Sequence, residues 1–273
     1  MKIWIKILVG SIIGIVLGAL LPGSEGVREV FDYLARLSIQ MGRYVIFPLA
    51  FFGLLIGTHE LRRERAMLPV YGRLALYLVG ATLLLVLVGM LTVLLFAPDR
   101  VPIIVEEEQA QRLPGLGQML LSLFPENLFQ ALVGAGSLLL PLLFLAFLLG
   151  VNLNYDLRVT SPVIQLADSL CRIFYHVNSL LCELFAFAML VLGAHFLITL
   201  KGTDLTLFKQ MLVILAIDAA LIVFAVYPAL LYFLGERGNP YKWLYALIAP
   251  ALVAFFTGDN YLSVSMLTKH GKE

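Results

Sequence analysis

The chain has 273 residues, of which 61% are hydrophobic and 14% are charged, and its mean hydropathy is +0.95. Soluble domains are about a quarter charged, so this chain has too few charged side chains to cover a surface that faces water. A formal net charge of +1 and the lack of a long basic run argue against nucleic acid as a partner. We therefore expect the lipid bilayer to surround most of this protein.

Six apolar segments predict six transmembrane helices, because about 20 apolar residues cross a bilayer as a helix. In chain order, the segments run over about 3–21, 31–58, 74–97 and 119–151, then up to Leu200, and over about 207–234. The first segment resembles a secretory signal, but the membrane spans that follow favour an uncleaved signal anchor. The predicted fold class is an all-α polytopic membrane protein.

Basic residues of the short loops fall on one side of these spans. They occur at the start of the chain, after the second span and after the sixth, and include Lys2, Lys6, Arg62, Arg63 and Arg237. Because basic loops stay in the cytoplasm, we expect a multi-pass protein of the cell membrane with a cytoplasmic N terminus. The longest loop, 99–117, is then extracellular.

The last 35 residues, 239–273, form a separate predicted element. Its apolar stretch, 243–256, is short for a full crossing and is followed by four polar or small residues, Thr257, Gly258, Asp259 and Asn260. A helix that enters from the cytoplasm, breaks at Gly258 and turns back accounts for both the length and the basic tail. This pattern predicts the first arm and the tip of a re-entrant helical hairpin. The exposed helix ends can hold ions or anionic substrate groups, unless Asp259 and Asn260 simply cap the returning helix.

Ionisable residues inside apolar spans are costly, so they indicate either function or pairing. Asp218 lies near the middle of the sixth span, where it is either a proton or cation site or the partner of Arg43, Arg172 or His176. Asp168 and Arg172 are four residues apart on one helix and can therefore pair with each other.

Enzyme and metal signatures are missing from the sequence. HExxH, GxSxG, the P-loop and GxGxxG do not occur, and Cys171 and Cys182 are too far apart on one predicted helix to form a disulfide. We expect no enzymatic activity, no resident metal and no organic cofactor. Gly258-Asp259 is similar to part of the GxGD motif of intramembrane aspartyl proteases, so an aspartyl enzyme that uses Asp218 and Asp259 is an alternative.

Five further segments carry motifs along the whole chain. In order, they are KILVGSIIGIVLG at 6–18, RYVIFPLAF at 43–51, FPENLFQAL at 124–132, LADSLCRI at 166–173 and AFFT at 254–257. Together these segments resemble the dicarboxylate/amino acid:cation symporter family, the glutamate transporter homologues. AFFT stands where that family begins its first re-entrant hairpin.

The resemblance implies a homotrimer that moves a small organic solute, such as a dicarboxylate or an amino acid, together with Na⁺ or H⁺. Helices 1–2, at 1–66, and helices 4–5, at 118–205, would form a static scaffold, with 118–205 making the trimer contacts. Helix 3 at 67–98, helix 6 at 206–238 and the partial hairpin at 239–273 would carry the solute across the membrane like an elevator.

The resemblance also indicates binding residues. The hairpin tip would bind the solute through Thr257, Gly258, Asp259 and Asn260. Tyr77 matches a tyrosine of the family's cation site, and Thr82 is adjacent to Ala81, which stands where the family has a threonine. We predict ion binding at Tyr77, Thr82 and Asp218.

The chain departs from the family pattern in two further respects. Asp259 stands where the family has a serine, and an acidic side chain there would repel a substrate carboxylate. Family members also continue through a second hairpin and further helices, so we expect this chain to be the N-terminal portion of a transporter. The alternative is a non-transporting membrane scaffold, or a half-transporter that needs a partner chain.

Overall fold

The computed structural model describes residues 2–22, 24–96, 115–133, 139–201, 209–234, 239, 241, 244–245 and 247–270, and all regular secondary structure in them is helical. Among these described residues, five helical segments are long and apolar enough to cross a membrane: Ile3–Leu20, Glu25–Arg63, Met67–Phe96, Leu157–Lys201 and Lys209–Tyr232. The prediction of an all-α polytopic membrane protein is therefore confirmed. Most of the predicted extracellular loop at 99–117, and the tail after residue 270, lie outside the described residues.

The described helices, in chain order, are α1 (Ile3–Leu20), α2 (Glu25–Arg43), α3 (Ile46–Arg63), α4 (Met67–Phe96), α5 (Leu116–Leu123), α6 (Leu128–Val133), α7 (Leu140–Asn152), α8 (Leu157–Lys201), α9 (Lys209–Leu221), a π-helical segment (Ile222–Val226), α10 (Tyr227–Leu234), α11 (Ile248–Thr257) and α12 (Asn260–His270).

Two of the six predicted spans are divided in the structure. The second span consists of α2 and α3, with a turn at Tyr44 and Val45 between them. Pro48 then lies in the first turn of α3, where its missing N–H would have no helical acceptor in any case. The predicted fourth span, 119–151, consists of α5, α6 and α7. Pro125 lies between α5 and α6, at a position where it ends the first of these helices.

The chain forms two compact units. The first comprises Met1–Tyr44, Leu78–Val101 and Asn178–Glu273. Within it, α1 packs closely against the second half of α8, because a Cβ atom at Gly10, Gly14 or Gly18 would lie 2.2 to 2.7 Å from a backbone carbonyl oxygen of α8. Small residues at this spacing allow two membrane helices to approach closely. In the same unit, α12 contacts α11 and α2, and α11 contacts α1.

The second unit comprises Val45–Tyr77 and Pro102–Val177. Its core is formed by α3, α7 and the first half of α8, through Leu55, Ile56, Ala146 and Ala167. Gly150 of α7 lies so close to α3 that an added Cβ would be 2.6 Å from the carbonyl oxygen of Leu55. Both units are therefore held together by tight contacts between apolar helices.

Candidate functional site

The candidate solute site is the turn between α11 and α12. The first helix ends at Thr257, and Gly258 has a φ of +63°, in the left-handed region that favours glycine. The Gly258 N–H donates to the carbonyl oxygen of Ala254 at 2.8 Å and so completes the end of the helix. The helix break therefore lies at the position where the sequence indicates it.

Asp259 is the buried residue of this turn, with only 4% of its surface exposed. One oxygen of its carboxylate accepts a hydrogen bond from Nε of Arg43 on α2, which forms an ion pair. The other oxygen, Oδ1, accepts from the backbone N–H of Tyr261 at 2.9 Å, as in a helix N-cap. Both oxygens are thus engaged, and the negative charge is compensated by a guanidinium group.

The rest of the turn faces outward. Gly258 and Asn260 are exposed and Thr257 is half-buried. The Thr257 hydroxyl donates to the carbonyl oxygen of Val253 at 2.7 Å and accepts from the Asp259 N–H at 3.1 Å. The exposed surface of the turn therefore presents the Asn260 amide and backbone groups, whereas the Asp259 carboxylate is buried.

A second polar cluster joins α12 to α8 next to this turn. Nδ2 of Asn178 donates to the carbonyl oxygen of Ser265 at 3.2 Å and to Oγ1 of Thr268 at 3.1 Å, and the Ser265 hydroxyl donates to Oδ1 of Asn178. Nζ of the buried Lys269 donates to Glu183 at 2.8 Å. Sequence reasoning missed this cluster. The sequence feature that could have revealed it is the spacing of Ser265, Thr268 and Lys269, which places all three on one face of α12.

The three predicted ion-binding residues do not come together. The Thr82 hydroxyl donates to the carbonyl oxygen of Leu78 in its own helix, at 2.8 Å, and Tyr77 is 47% exposed. Asp218 of α9 instead accepts a hydrogen bond from Oγ1 of Thr92 at 3.1 Å. Since ten residues separate Thr82 from Thr92, the two threonines lie about 15 Å apart along α4.

Two of the three cationic partners suggested for Asp218, the arginines, are bound elsewhere. Arg43 pairs with Asp259, and Nε of Arg172 lies 3.0 Å from Asp168, which confirms that predicted pair. Within the ranges that the structure describes, no three His, Cys, Asp or Glu side chains are grouped as they would be to hold a metal ion.

These features define a polytopic α-helical membrane protein with a broken helix and paired charges inside its apolar units, a construction typical of secondary transporters. The chain belongs to the sodium:dicarboxylate symporter family, whose model matches residues 3–261. This finding agrees with the resemblance carried by the sequence motifs.

Two transporters illustrate the relationship. The chain is 18% identical to the proton/sodium-glutamate symport protein of Geobacillus stearothermophilus over 198 residues, which cover 68% of this chain and 47% of that protein. It is 27% identical to the serine/threonine transporter SstT of Enterococcus faecalis over 262 residues, which cover 95% of this chain and 60% of that protein. The chain thus spans about half the length of the relatives it matches. The family and both relatives are transporters and not enzymes, so the aspartyl enzyme alternative is not supported.

Proposed function

We propose that this chain is part of a secondary active transporter, which moves a small organic solute such as a dicarboxylate or an amino acid together with Na⁺ or H⁺. The observation that carries the proposal is the capped helix break at Gly258, next to an acidic side chain whose charge Arg43 compensates. The family match and the names of the two relatives support the same class of activity.

In this proposal, the solute binds at Thr257, Gly258, Asp259 and Asn260. The ion pair with Arg43 removes the main objection to an acidic residue at the tip, because a compensated carboxylate repels an anionic solute much less than a free one. The exposed Asn260 amide and the backbone groups beside Gly258 would then provide the direct hydrogen bonds.

Coupling ions are proposed to bind at two separate positions, one on α4 at Tyr77 and Thr82 and the other at Asp218 of α9 beside Thr92. Asp218 supports this assignment because its carboxylate already meets the Thr92 hydroxyl, and hard cations such as Na⁺ prefer oxygen ligands. Protonation of Asp218 would be the corresponding event for H⁺ coupling.

The transport movement is proposed to be of the elevator type, in a homotrimer. Residues 1–66 and 118–205 would form the static scaffold, and residues 67–98, 206–238 and 239–273 would move. In this mechanism, α12 slides along α2 and α8, so the contacts that must break are Arg43 with Asp259, Asn178 with Ser265, and Glu183 with Lys269.

Uptake by the protein as the cell makes it tests this function. The product of the native gene is purified, its intact mass is measured, and it is reconstituted into liposomes. Radiolabelled glutamate, aspartate, serine and threonine are then supplied with a Na⁺ gradient, a pH gradient or neither. We expect gradient-dependent uptake of at least one solute, which Asp218→Asn reduces. Absence of uptake with every solute and gradient would contradict the proposal.

A non-transporting scaffold is the second candidate. It is favoured by the three polar contacts that fasten α12 to α2 and α8, since these would also suit a permanently static assembly. That candidate predicts a folded, stable oligomer that neither binds nor moves the four solutes.

A further inference from the structure

A groove of about 660 Å³ lies between α1 and the second half of α8, within the first unit. Its walls include Ile13 of α1 and Leu184, Phe187 and Leu190 of α8. The floor is formed where Gly10 of α1 approaches the backbone of α8 at Ala186. Ile13, Leu184 and Phe187 are 45%, 45% and 80% exposed, so the groove is open at the apolar surface of the chain.

The groove has one charged end. Gly10 lies opposite Ala186 and Gly14 opposite Leu190, so the two helices run in the same direction, and Lys6 lies level with Glu183. The 18 residues of α1 extend about 27 Å, which is close to the thickness of the hydrocarbon core. Lys6 is in the first turns of α1, so the charged end lies at the depth of lipid headgroups and the apolar walls at the depth of acyl chains.

This end carries an excess of positive charge. Glu183 is already paired with Lys269 at 2.8 Å. Lys6 is close enough to Glu183 to interact with it electrostatically but forms no ion pair with any residue that the structure describes. Lys2, one turn before Lys6, instead donates to the Tyr245 hydroxyl at 3.5 Å and lies over the Tyr245 ring. Since Glu183 is compensated by the buried Lys269, Lys6 is the lysine of the groove lining that can attract an anion to this end of the apolar groove.

We propose that this groove is a binding site for an anionic phospholipid. The phosphate binds the Lys6 ammonium, and one acyl chain lies along Ile13, Leu184 and Leu190. Basic sites between membrane helices recognise anionic headgroups through the same combination of charge and apolar surface. This inference does not require the proposed transport function, although the Glu183–Lys269 pair at the charged end of the groove is also one of the contacts assigned to the elevator movement.

Native mass spectrometry of the full chain tests the site. The protein in detergent is titrated with phosphatidylglycerol or with phosphatidylcholine, and bound lipid is counted. We expect one phosphatidylglycerol to remain bound per chain, in clear preference to phosphatidylcholine. Lys6→Gln should weaken phosphatidylglycerol binding about fivefold. Lys209→Gln, which removes an exposed lysine from the start of another apolar helix, is the matched control and should leave binding unchanged.

A second variant examines the apolar wall. Leu184→Trp places a larger side chain in the groove, at an exposed position that can accommodate it, and leaves Lys6 in place. This variant should also abolish retention of phosphatidylglycerol. Leu83→Trp, at an exposed position of α4, is its control. Equal retention of the two lipids, or unchanged binding by both Lys6→Gln and Leu184→Trp, would overturn the proposal. So would an altered oligomeric mass of Leu184→Trp with no change in bound lipid, because a second copy of the chain would then occupy the groove.

Discussion

At the turn between α11 and α12, one acidic side chain is both a helix cap and half of an ion pair. Asp259 uses Oδ1 for the Tyr261 N–H and its other oxygen for Arg43. A residue that the sequence placed at the exposed tip of a hairpin is therefore buried, and its charge is compensated from another helix. Asn260, its neighbour, is the side chain that faces outward.

Replacing Arg43 should lower the free energy of unfolding, because the Asp259 carboxylate is buried and would remain unpaired. Arg43→Met leaves Asp259 without its counterion, and we expect a loss of about 2 kcal/mol in the free energy of unfolding, less than for a fully buried pair because 42% of the Arg43 side chain is exposed. Addition of Asp259→Asn should recover part of this loss, since asparagine also caps helices. Denaturation in detergent micelles measures both. Arg36→Met, in an exposed pair with Asp32, is the control, and a loss as large there would contradict the explanation.

Gly258 allows a prediction about backbone conformation alone. A Cβ at this position would meet no atom within 4 Å, so the cost of Gly258→Ala comes from the positive φ, and should be about 1 to 2 kcal/mol. Gly258→Asn should cost less, because asparagine tolerates the left-handed region. Gly57→Ala, in a helical position with equal space, should not destabilise the protein. Thermal unfolding of the three variants provides the comparison, and equal behaviour of Gly57→Ala and Gly258→Ala would contradict it.

At the scale of elements, the contact between α1 and α8 depends on backbone approach. Gly14 is the closest point, where an added Cβ would lie 2.2 Å from the carbonyl oxygen of Leu190. A backbone carbonyl cannot rotate away as a flexible side chain can, so the helices themselves must separate. Residues 7–20 of α1 are apolar or small apart from Ser11, so the contact depends on this close fit and not on paired charges along the helix.

Gly14→Ala should therefore be strongly destabilising for so small a change. We expect a loss of about 1 to 3 kcal/mol from overpacking. Gly80→Ala in α4 adds the same methyl group where nothing lies within 4 Å, and should have no such cost. Urea or thermal denaturation in micelles distinguishes the two variants. Similar stability of both would mean that α1 does not pack on α8 as described.

At the scale of the whole molecule, α4 and the segment from α9 to α10 expose most of their apolar surface. In each of the spans Met67–Phe96 and Lys209–Tyr232, only 6% of an 18-residue apolar stretch is buried. Such surfaces require lipid or other protein around them. These are the two spans that the elevator proposal assigns to the moving unit.

The proposed orientation can be measured by labelling. In a background without Cys171 and Cys182, a membrane-impermeant maleimide added outside the cell should label Glu25→Cys, which follows α1, and should label Lys2→Cys only after permeabilisation. In the proposed orientation, the basic start of the chain stays in the cytoplasm and the single crossing of α1 carries Glu25 outside. The reverse labelling pattern would contradict a cytoplasmic N terminus.

The proposed trimer can be tested in the same membranes. Amine-reactive cross-linking should give products of one, two and three chains and no larger regular species, because a closed three-fold assembly has no free interface left. Cross-linking after dilution in detergent is the control for chance encounters. Products confined to one chain, or a ladder that continues past three, would contradict the homotrimer.

Much of the fold follows from local features of the chain. Long apolar runs predict the spans, and the glycine at 258 predicts the break between α11 and α12. The Asp168 and Arg172 pair follows from helical spacing. The partners of Asp218, Asp259 and Lys269 do not follow, because 126, 216 and 86 residues separate them from Thr92, Arg43 and Glu183. Sequence spacing carries no information about which distant helices meet.

The sequence by itself determined the class of this protein: an apolar, all-α membrane chain with motifs of a symporter family and a helix break near its end. These properties depend on composition and on contacts within a few residues. Bilayer thickness and the rise of an α-helix then determine how many apolar residues form a membrane span. The tertiary structure alone decided that Arg43 compensates Asp259, that Asn178 and Glu183 hold α12, and that α1 and α8 leave a groove. Those features arise from the packing of helices distant in the chain, where small differences in side-chain volume and charge select one arrangement.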